Sequence, residues 1–379
     1  MARRVAPIAV GHVMNTYLGR SATFIHTAVT AQQRFRPVIL ARQTENLDEF
    51  PVGEVHQVIP NTRAYRWFAG RYPALGRRIY DRRLVQAARE NSCALLHAHF
   101  GWAASDVLNA RRRLGIPLVT TFYGNDLAPM HRDRYPYERL FSEGALFFCE
   151  GPAMASTLEG FGCPPNKIQL VRIGIDLEKF PFVPRERTRP LVIIQAGRFV
   201  EKKGIDLSIR AFAAAQPRLG ASELWLVGDG ELRAELESLP ARLGIARNVR
   251  FLGSCGYGEY QTLIGRAHIC IQPSRTAADG DTEGGAPTVL IEMQASGIPV
   301  VATRHADIPA VVPHPEDLAD EEDVEGLAEA LVATALRPER EWRERLLEGR
   351  AFVEAHHDVR RVANEMERHY GDALTAAAK

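Results

Sequence analysis

The chain has no apolar run near the roughly 20 residues a membrane-spanning helix needs. Its five cysteines (Cys93, Cys149, Cys163, Cys255 and Cys270) form no Cys-x-x-Cys pair. An odd, scattered set excludes a disulfide framework and the usual zinc patterns, and it fits a reducing cytosol. A dinucleotide fingerprint is missing too. Its best candidate, Gly228-Asp-Gly230, carries Arg233 where the third glycine would stand, which argues against a nicotinamide dehydrogenase. No nucleic-acid recognition motif is present. The first residues, MARRVAPIAVGHV, are basic and then apolar, but Pro7, Gly11 and His12 break the run. They read as a first strand rather than a signal peptide.

What is present points to two globular α/β domains. The 379 residues are 46% hydrophobic and 25% charged, the balance of a soluble protein. The net charge of +1 hides a split: residues 1–180 carry 23 basic and 15 acidic side chains, the rest 24 and 31. The two halves therefore meet different ligands. Short, nearly all-apolar runs alternate with helical patterns, as in parallel sheets buried on both faces. In the first half they fall at 6–13, 37–41, 55–59, 94–97, 117–122, 145–149 and 168–172. In the second they fall at 191–196, 224–227, 249–252, 269–272 and 299–302. Three prolines in the charged stretch 180–190 make a linker. A helical tail covers 339–374, with apolar Phe352, Val359, Val362, Met366 and Tyr370.

The most informative segment is 279–299, DGDTEGGAPTVLIEMQASGIP. Two carboxylates, Glu283 and Glu292, flank a Gly284-Gly285-Ala286-Pro287 loop that opens a helix at Thr288 and Val289. Glycines let the backbone approach a ligand, the helix start favours an anion, and carboxylates accept from vicinal hydroxyls. A nucleotide sugar has both a diphosphate and hydroxyl-rich rings. Upstream, AGRFVEKKG (196–204) follows an apolar strand and places Arg198 and Lys203 at its carboxyl end, where open α/β sheets bind ligands. Taken alone it reads first as a solvated charge run. LVGDGELR (226–233) is a strand-to-helix turn with Gly228 and Gly230, and VRFLGS (249–254) is a short strand and turn.

These strings resemble glycosyltransferase family 4, retaining enzymes of the GT-B fold, and the likeness covers nearly the whole chain. The resemblance implies two Rossmann-like domains facing a cleft: residues 1–182 on the acceptor side, 189–350 on the donor side, and a 351–379 helix returning to the first domain. It reverses the reading of the charge run, because Gly197 and Arg198 through Lys203 and Gly204 match G-R-x-x-x-x-K-G, with Arg198 and Lys203 on the pyrophosphate. Gly228 and Gly230 match the family's G-x-G element, although a structural turn reads as well. Leu252, Gly253 and Ser254 match the strand end beside the base. Glu283 is implied on sugar hydroxyls and Glu292 on the ribose. Eight residues separate them where the family has seven, and the loop Gly284–Pro287 absorbs the extra one. No metal is implied, so Asp279-Gly-Asp281, which spells a metal-diphosphate motif of another fold, is set aside.

Three first-half segments follow expected strands: Leu18 to Phe24 with Gly19, His97 to Gly101, and Thr120 to Asp126. His97 reads as a core histidine and His99 as facing a cleft. The third segment resembles the family's T-x-H-G-x-D, which places Tyr123 and Asp126 at the reaction centre, with tyrosine standing where the family has histidine. Tyrosine donates a hydrogen bond but is a poor base near neutral pH. Residues 63–83 hold seven arginines against Asp81, with Tyr65, Trp67, Phe68 and Tyr72 among them. That stretch is either a solvated helix face or peripheral contact with an anionic membrane.

The expected protein is thus a cytoplasmic glycosyltransferase using a UDP- or GDP-sugar donor and a sugar, lipid-linked or small-molecule acceptor. A nucleotide-sugar 2-epimerase of the same fold and a non-catalytic nucleotide-sugar binder are the alternatives.

Overall fold

The computed structural model describes residues 7–19, 23–48, 50, 53–60, 62–128 and 136–378. The chain forms two compact units: Met1–Glu150, Ala155–Ile175 and Val359–Lys379 in the first, Gly151–Met154 and Asp176–Asp358 in the second.

The first unit is built on a seven-stranded parallel sheet. Its strands are β1 (Ile8–Tyr17), β2 (Phe35–Thr44), β3 (Val55–Gln57), β4 (Cys93–His99), β5 (Leu118–Thr121), β6 (Leu146–Cys149) and β7 (Ile168–Leu170), in the order β3-β2-β1-β4-β5-β6-β7. The second has six strands: β8 (Leu191–Ala196), β9 (Ser222–Val227), β10 (Val249–Gly253), β11 (Ile269–Gln272), β12 (Val300–Thr303) and β13 (Leu318–Ala319), ordered β10-β9-β8-β11-β12-β13. Each sheet carries helices, and each strand order reverses once, between β1 and β4 and between β8 and β11. Such switch points open a crevice at the carboxyl ends of the strands.

The core explains the strand pattern. Val10, Leu95, Val119 and Phe148 are buried in the first unit, and Ile193, Leu224, Ile271 and Val301 in the second. With both faces covered, alternation disappears and the strands read as apolar runs. The helix Ile205–Leu219 buries Ile205, Ile209, Phe212 and Leu219 on one stripe, at the three- and four-residue spacing of a helix face. All twelve expected strands are present. β1 runs on to Tyr17, past the expected end at 13, because Met14 and Tyr17 are buried although polar residues separate them. The two-residue β13 has no apolar run to announce it.

The tail is two helices, Glu339–His356 and Val359–Ala377. The break has a local cause: the Val359 N–H bonds to the Ile175 carbonyl (3.0 Å) instead of continuing the helix. The first helix stays in the second unit, where buried Trp342 donates to the Arg185 carbonyl at 2.7 Å. The last helix belongs to the first unit, and it starts at Val359 rather than at 351. It places Val362, Met366, Tyr370 and Ala373 in the core beside Val10 and Leu95. Among the described residues no helix is long and apolar enough to cross a membrane.

Candidate functional site

In the second unit the switch point gathers a charged network. Lys203 Nζ lies 2.8 Å from Glu283 Oε2. Ser274 Oγ donates to Glu283 Oε1 at 2.7 Å, and Gln272 Nε2 donates to Ser274 Oγ at 2.9 Å. From the neighbouring strand Gln195 Nε2 holds the Lys203 carbonyl at 2.7 Å. Two glutamines inside the sheet thus aim the groups at its edge. Burial alone would raise the Glu283 carboxyl. The Lys203 charge, hydrogen bonds from Lys203 and Ser274, and the Lys202 charge outweigh it and hold the group below its ordinary value.

The loop bearing Glu283 is pinned on both sides. Its N–H donates to His305 Nε2 (3.1 Å), so the His305 proton sits on Nδ1, 2.7 Å from Glu321 Oε1. Lys202, almost wholly buried, binds Asp281 (3.0 Å) and the Thr282 carbonyl (2.8 Å). The adjacent lysines therefore divide the work: Lys202 ties the loop down, and Lys203 faces the carboxylate at the edge. Arg198 is exposed, and its side chain makes no hydrogen bond or ion pair among the described residues. Gly284 has φ 73°, the left-handed region a side chain resists.

The glycines of the strand ends line up. Gly197 N–H donates to the Val227 carbonyl (2.9 Å) and Gly228 N–H to the Gly253 carbonyl (2.8 Å). At Gly228, with φ 135°, a Cβ would stand 1.9 Å from the Gly197 oxygen, so no side chain fits. Gly230 abuts the Phe199 backbone, with a Cβ placed 2.4 Å from its oxygen. Leu252 is partly buried, and Ser254 beyond it is exposed. Gly285, Pro287 and Val289 are buried at the start of the Thr288–Ala295 helix. From the same helix, Glu292 accepts a hydrogen bond from Tyr260 OH at 2.7 Å. Burial pushes the Glu292 carboxyl up to about 7, and the Tyr260 bond opposes that rise.

In the first unit, the switch point holds a histidine stack. His12 on β1 is the register partner of His97 on β4, and His99 lies two residues on, on the same face. His12 Nδ1 is 3.0 Å from His99 Nε2, His99 Nδ1 is 2.7 Å from Tyr123 OH, and His97 bonds Thr121 Oγ1 (2.7 Å) and Tyr370 OH (2.6 Å). All three rings are wholly buried. The reading of His99 as facing a cleft is therefore corrected: it is as buried as His97 and acts through Tyr123. Asp126 is held in the same part of the unit. It is wholly buried and accepts the N–H groups of Gly101 (2.7 Å) and Tyr123 (3.0 Å), which fixes the turn. Burial raises the Tyr123 hydroxyl far above its ordinary value. Gly19 has open space at its Cβ position, so packing does not require glycine there. Arg20, Ser21 and Ala22 of that segment lie outside the described residues.

The three histidines can present one nitrogen each within 4.8 Å of one another. Their rings are tilted to different degrees, at 24° for His12–His99, 32° for His97–His99 and 52° for His12–His97. Every ring nitrogen already has a hydrogen-bond partner: His12 and His99 bond each other, and the remaining four meet Gln32, Tyr123, Thr121 and Tyr370. The stack is a neutral hydrogen-bonded core. Burial lowers His12 from 6.5 to about 4, and burial with the neighbouring rings lowers His97 and His99 as well. Between those values the unfolded chain binds more protons than the folded one. Stability present above 6.5 is then lost as pH falls toward 4, at about 1.4 kcal/mol per pH unit for His12. Asp126, raised by burial to about 6, works the other way, as do Glu292 and Asp317, each raised by burial to about 7. Thermal melts should therefore show His12→Asn losing less stability than the unmodified protein as pH falls from 6.5 toward 4. The same pH dependence in the two proteins would contradict the neutral stack.

Comparison with known proteins agrees with the fold. Residues 22–179 match the profile described as glycosyltransferase family 4, and residues 190–335 that of glycosyl transferases group 1. The chain is 33% identical over 273 residues to the amylovoran biosynthesis glycosyltransferase AmsK of Erwinia amylovora, spanning 69% of this chain and 67% of AmsK. It is 30% identical over 315 residues to the putative colanic acid biosynthesis glycosyltransferase WcaL of Escherichia coli K12, spanning 78% and 77%. The crystal structure of Anabaena HepE in complex with UDP superposes with a TM-score of 0.77 at 19% identity, covering 96% of this chain and all of that one. The fold is that of the GT-B glycosyltransferases. The chain belongs to glycosyltransferase family 4 and is a glycosyl-transferring enzyme.

Sequence reasoning missed Ser274, His305, Glu321 and Tyr260. Each acts by holding a carboxylate or its loop, and a lone serine, histidine or tyrosine in an apolar stretch carries no spacing signal.

Proposed function

We propose that the enzyme moves a sugar from a UDP- or GDP-linked donor to an acceptor hydroxyl, with retention at the anomeric carbon, in polysaccharide synthesis. The observation that carries this reading is the Lys203–Glu283 pair at the β8/β11 switch point, beside the exposed Arg198. An arriving diphosphate offers Lys203 a second anion and Arg198 a first one. Both cations then stabilise the charge that grows on the leaving group, while Glu283 takes sugar hydroxyls and Glu292 the ribose. AmsK and WcaL, named for amylovoran and colanic acid biosynthesis, support a polysaccharide product. HepE was crystallised with UDP, and a Corynebacterium relative is named as GDP-mannose-dependent, so both bases stay in the reading. No metal takes part in it: Asp281, the second acid of the Asp279-Gly-Asp281 string, is already neutralised by Lys202. The work is placed in the cytoplasm, at the inner face of the membrane.

The test is incubation with UDP- and GDP-sugars in EDTA, with released diphosphate quantified and the product anomer read by NMR. An α-linked product from an α-linked donor supports the reading. Inversion, or activity only after Mn²⁺ is restored, contradicts it.

Tyr260 gives a pH test of the ribose role. Glu292 must be ionised to accept from ribose hydroxyls, so nucleotide affinity should fall as pH drops through about 7. Tyr260→Phe removes the bond that opposes burial, and the same fall should then come at higher pH. Identical pH profiles for both proteins, measured by calorimetric titration, would remove Glu292 from the nucleotide.

A further inference from the structure

The first unit carries a face that the transfer chemistry leaves unused. The helices Arg63–Arg71 and Pro73–Glu90 form a hairpin, and none of the residues in the first helix is buried. The helices meet closely at Ala69 and Gly76, where a Cβ on Gly76 would sit 3.0 Å from that of Ala69. The second helix turns Gly76, Tyr80, Leu84 and Ala88 inward at four-residue spacing. Leu75, Arg78 and Arg82 follow the opposite side and are exposed. Three large apolar side chains are exposed on this hairpin: Trp67 by 70%, Tyr72 by 48% and Leu75 by 46%. The single acid of the stretch, Asp81, has its electrostatic partners in Arg113, Asp106, Arg42 and Asn109 of the body. Arg77, Arg78, Arg82 and Arg83 have no ion pair among the described residues.

We propose that this hairpin docks the enzyme on an anionic bilayer, with Trp67, Tyr72 and Leu75 in the headgroup layer and the arginines on lipid phosphates. The proposal deepens the membrane-face location given above and does not depend on which donor is used. Charge alone would fit any polyanion. A soluble polyanion, however, offers no apolar layer to the indole, phenol and leucine side chains, whereas the headgroup region accepts both classes together.

The experiment is co-sedimentation with phosphatidylcholine vesicles, with and without phosphatidylglycerol. Binding is expected only with the anionic lipid, and it should weaken as salt rises. Replacing Arg77, Arg78, Arg82 and Arg83 with serine should weaken it on the order of 1000-fold. Replacing Trp67, Tyr72 and Leu75 with serine at unchanged charge should also weaken it. Brominated lipid should quench tryptophan fluorescence in the unmodified protein and not in Trp67→Phe. No binding to anionic vesicles overturns the proposal. So does binding that survives the apolar triple variant without quenching, which would describe simple pairing with polyanions. Both multiple variants should keep their melting temperature and their transfer to a soluble acceptor. Absence of transfer in the unmodified protein would instead overturn the donor reading and leave the vesicle result standing.

Discussion

Lys203→Ala and Arg198→Ala are each expected to lower turnover on the order of 100-fold or more, the scale of losing one donor aimed at developing charge. The two should differ in a way that exposes the network. Arg198 is exposed and its side chain makes no hydrogen bond or ion pair among the described residues, so its loss should leave the melting temperature unchanged. Lys203 lies 2.8 Å from Glu283, whose side chain is only 7% exposed. Its removal leaves that carboxylate without its main cation, so the Glu283 pKa should rise and part of the protein should take up a proton near neutrality. Lys203→Ala should therefore lose activity more steeply below neutral pH than Arg198→Ala does. Steady-state kinetics with melts on both variants check this. Near-normal turnover in either would remove that residue from the diphosphate.

The largest stability effect is expected at Glu367, remote from that chemistry. This wholly buried residue of the last helix accepts the N–H groups of Gln33 (2.9 Å), Arg34 (2.7 Å) and Phe35 (3.0 Å) on one oxygen. It thereby fastens the helix to the entry of β2. Glu367→Ala leaves three backbone donors without their charged acceptor. Charge-assisted bonds of this kind contribute about 1.5–3 kcal/mol each, and water reaching the exposed ends of Gln33 and Arg34 recovers part of that. A net cost of about 3–5 kcal/mol lowers the melting temperature by on the order of 10 °C in a unit of this size. Limited proteolysis should then release the tail ahead of the rest. A melt within about 2 °C of the unmodified protein would mean the helix is held by its apolar face alone.

Glu367 also marks the limit of what the sequence could say. The strands were legible because double-sided burial writes an apolar run into the chain, and Ile193, Leu224 and Ile271 read as such without help. Arg198, Lys203 and Glu283 were legible through their motif resemblance, and the distance between Lys203 and Glu283 was not, since 80 residues separate them in the sequence. The same holds for His12 and His99, 87 residues apart. A histidine at the end of a strand looks alike whether it faces solvent or a second histidine, which is why His99 was misread. Glu367 in an amphipathic helix reads as one more solvated charge, and only the fold brings the 33–35 backbone to it.

The most direct measurement is calorimetric titration of the unmodified protein and of Lys203→Ala with UDP and with GDP. One of the two nucleotides should bind the unmodified protein, and its affinity should fall at least tenfold in the variant, the weakening that follows from about 1.4 kcal/mol of lost charge pairing. Failure of both nucleotides to bind, or equal affinity for the two proteins, would contradict the claim that the β8/β11 switch point holds the donor's diphosphate.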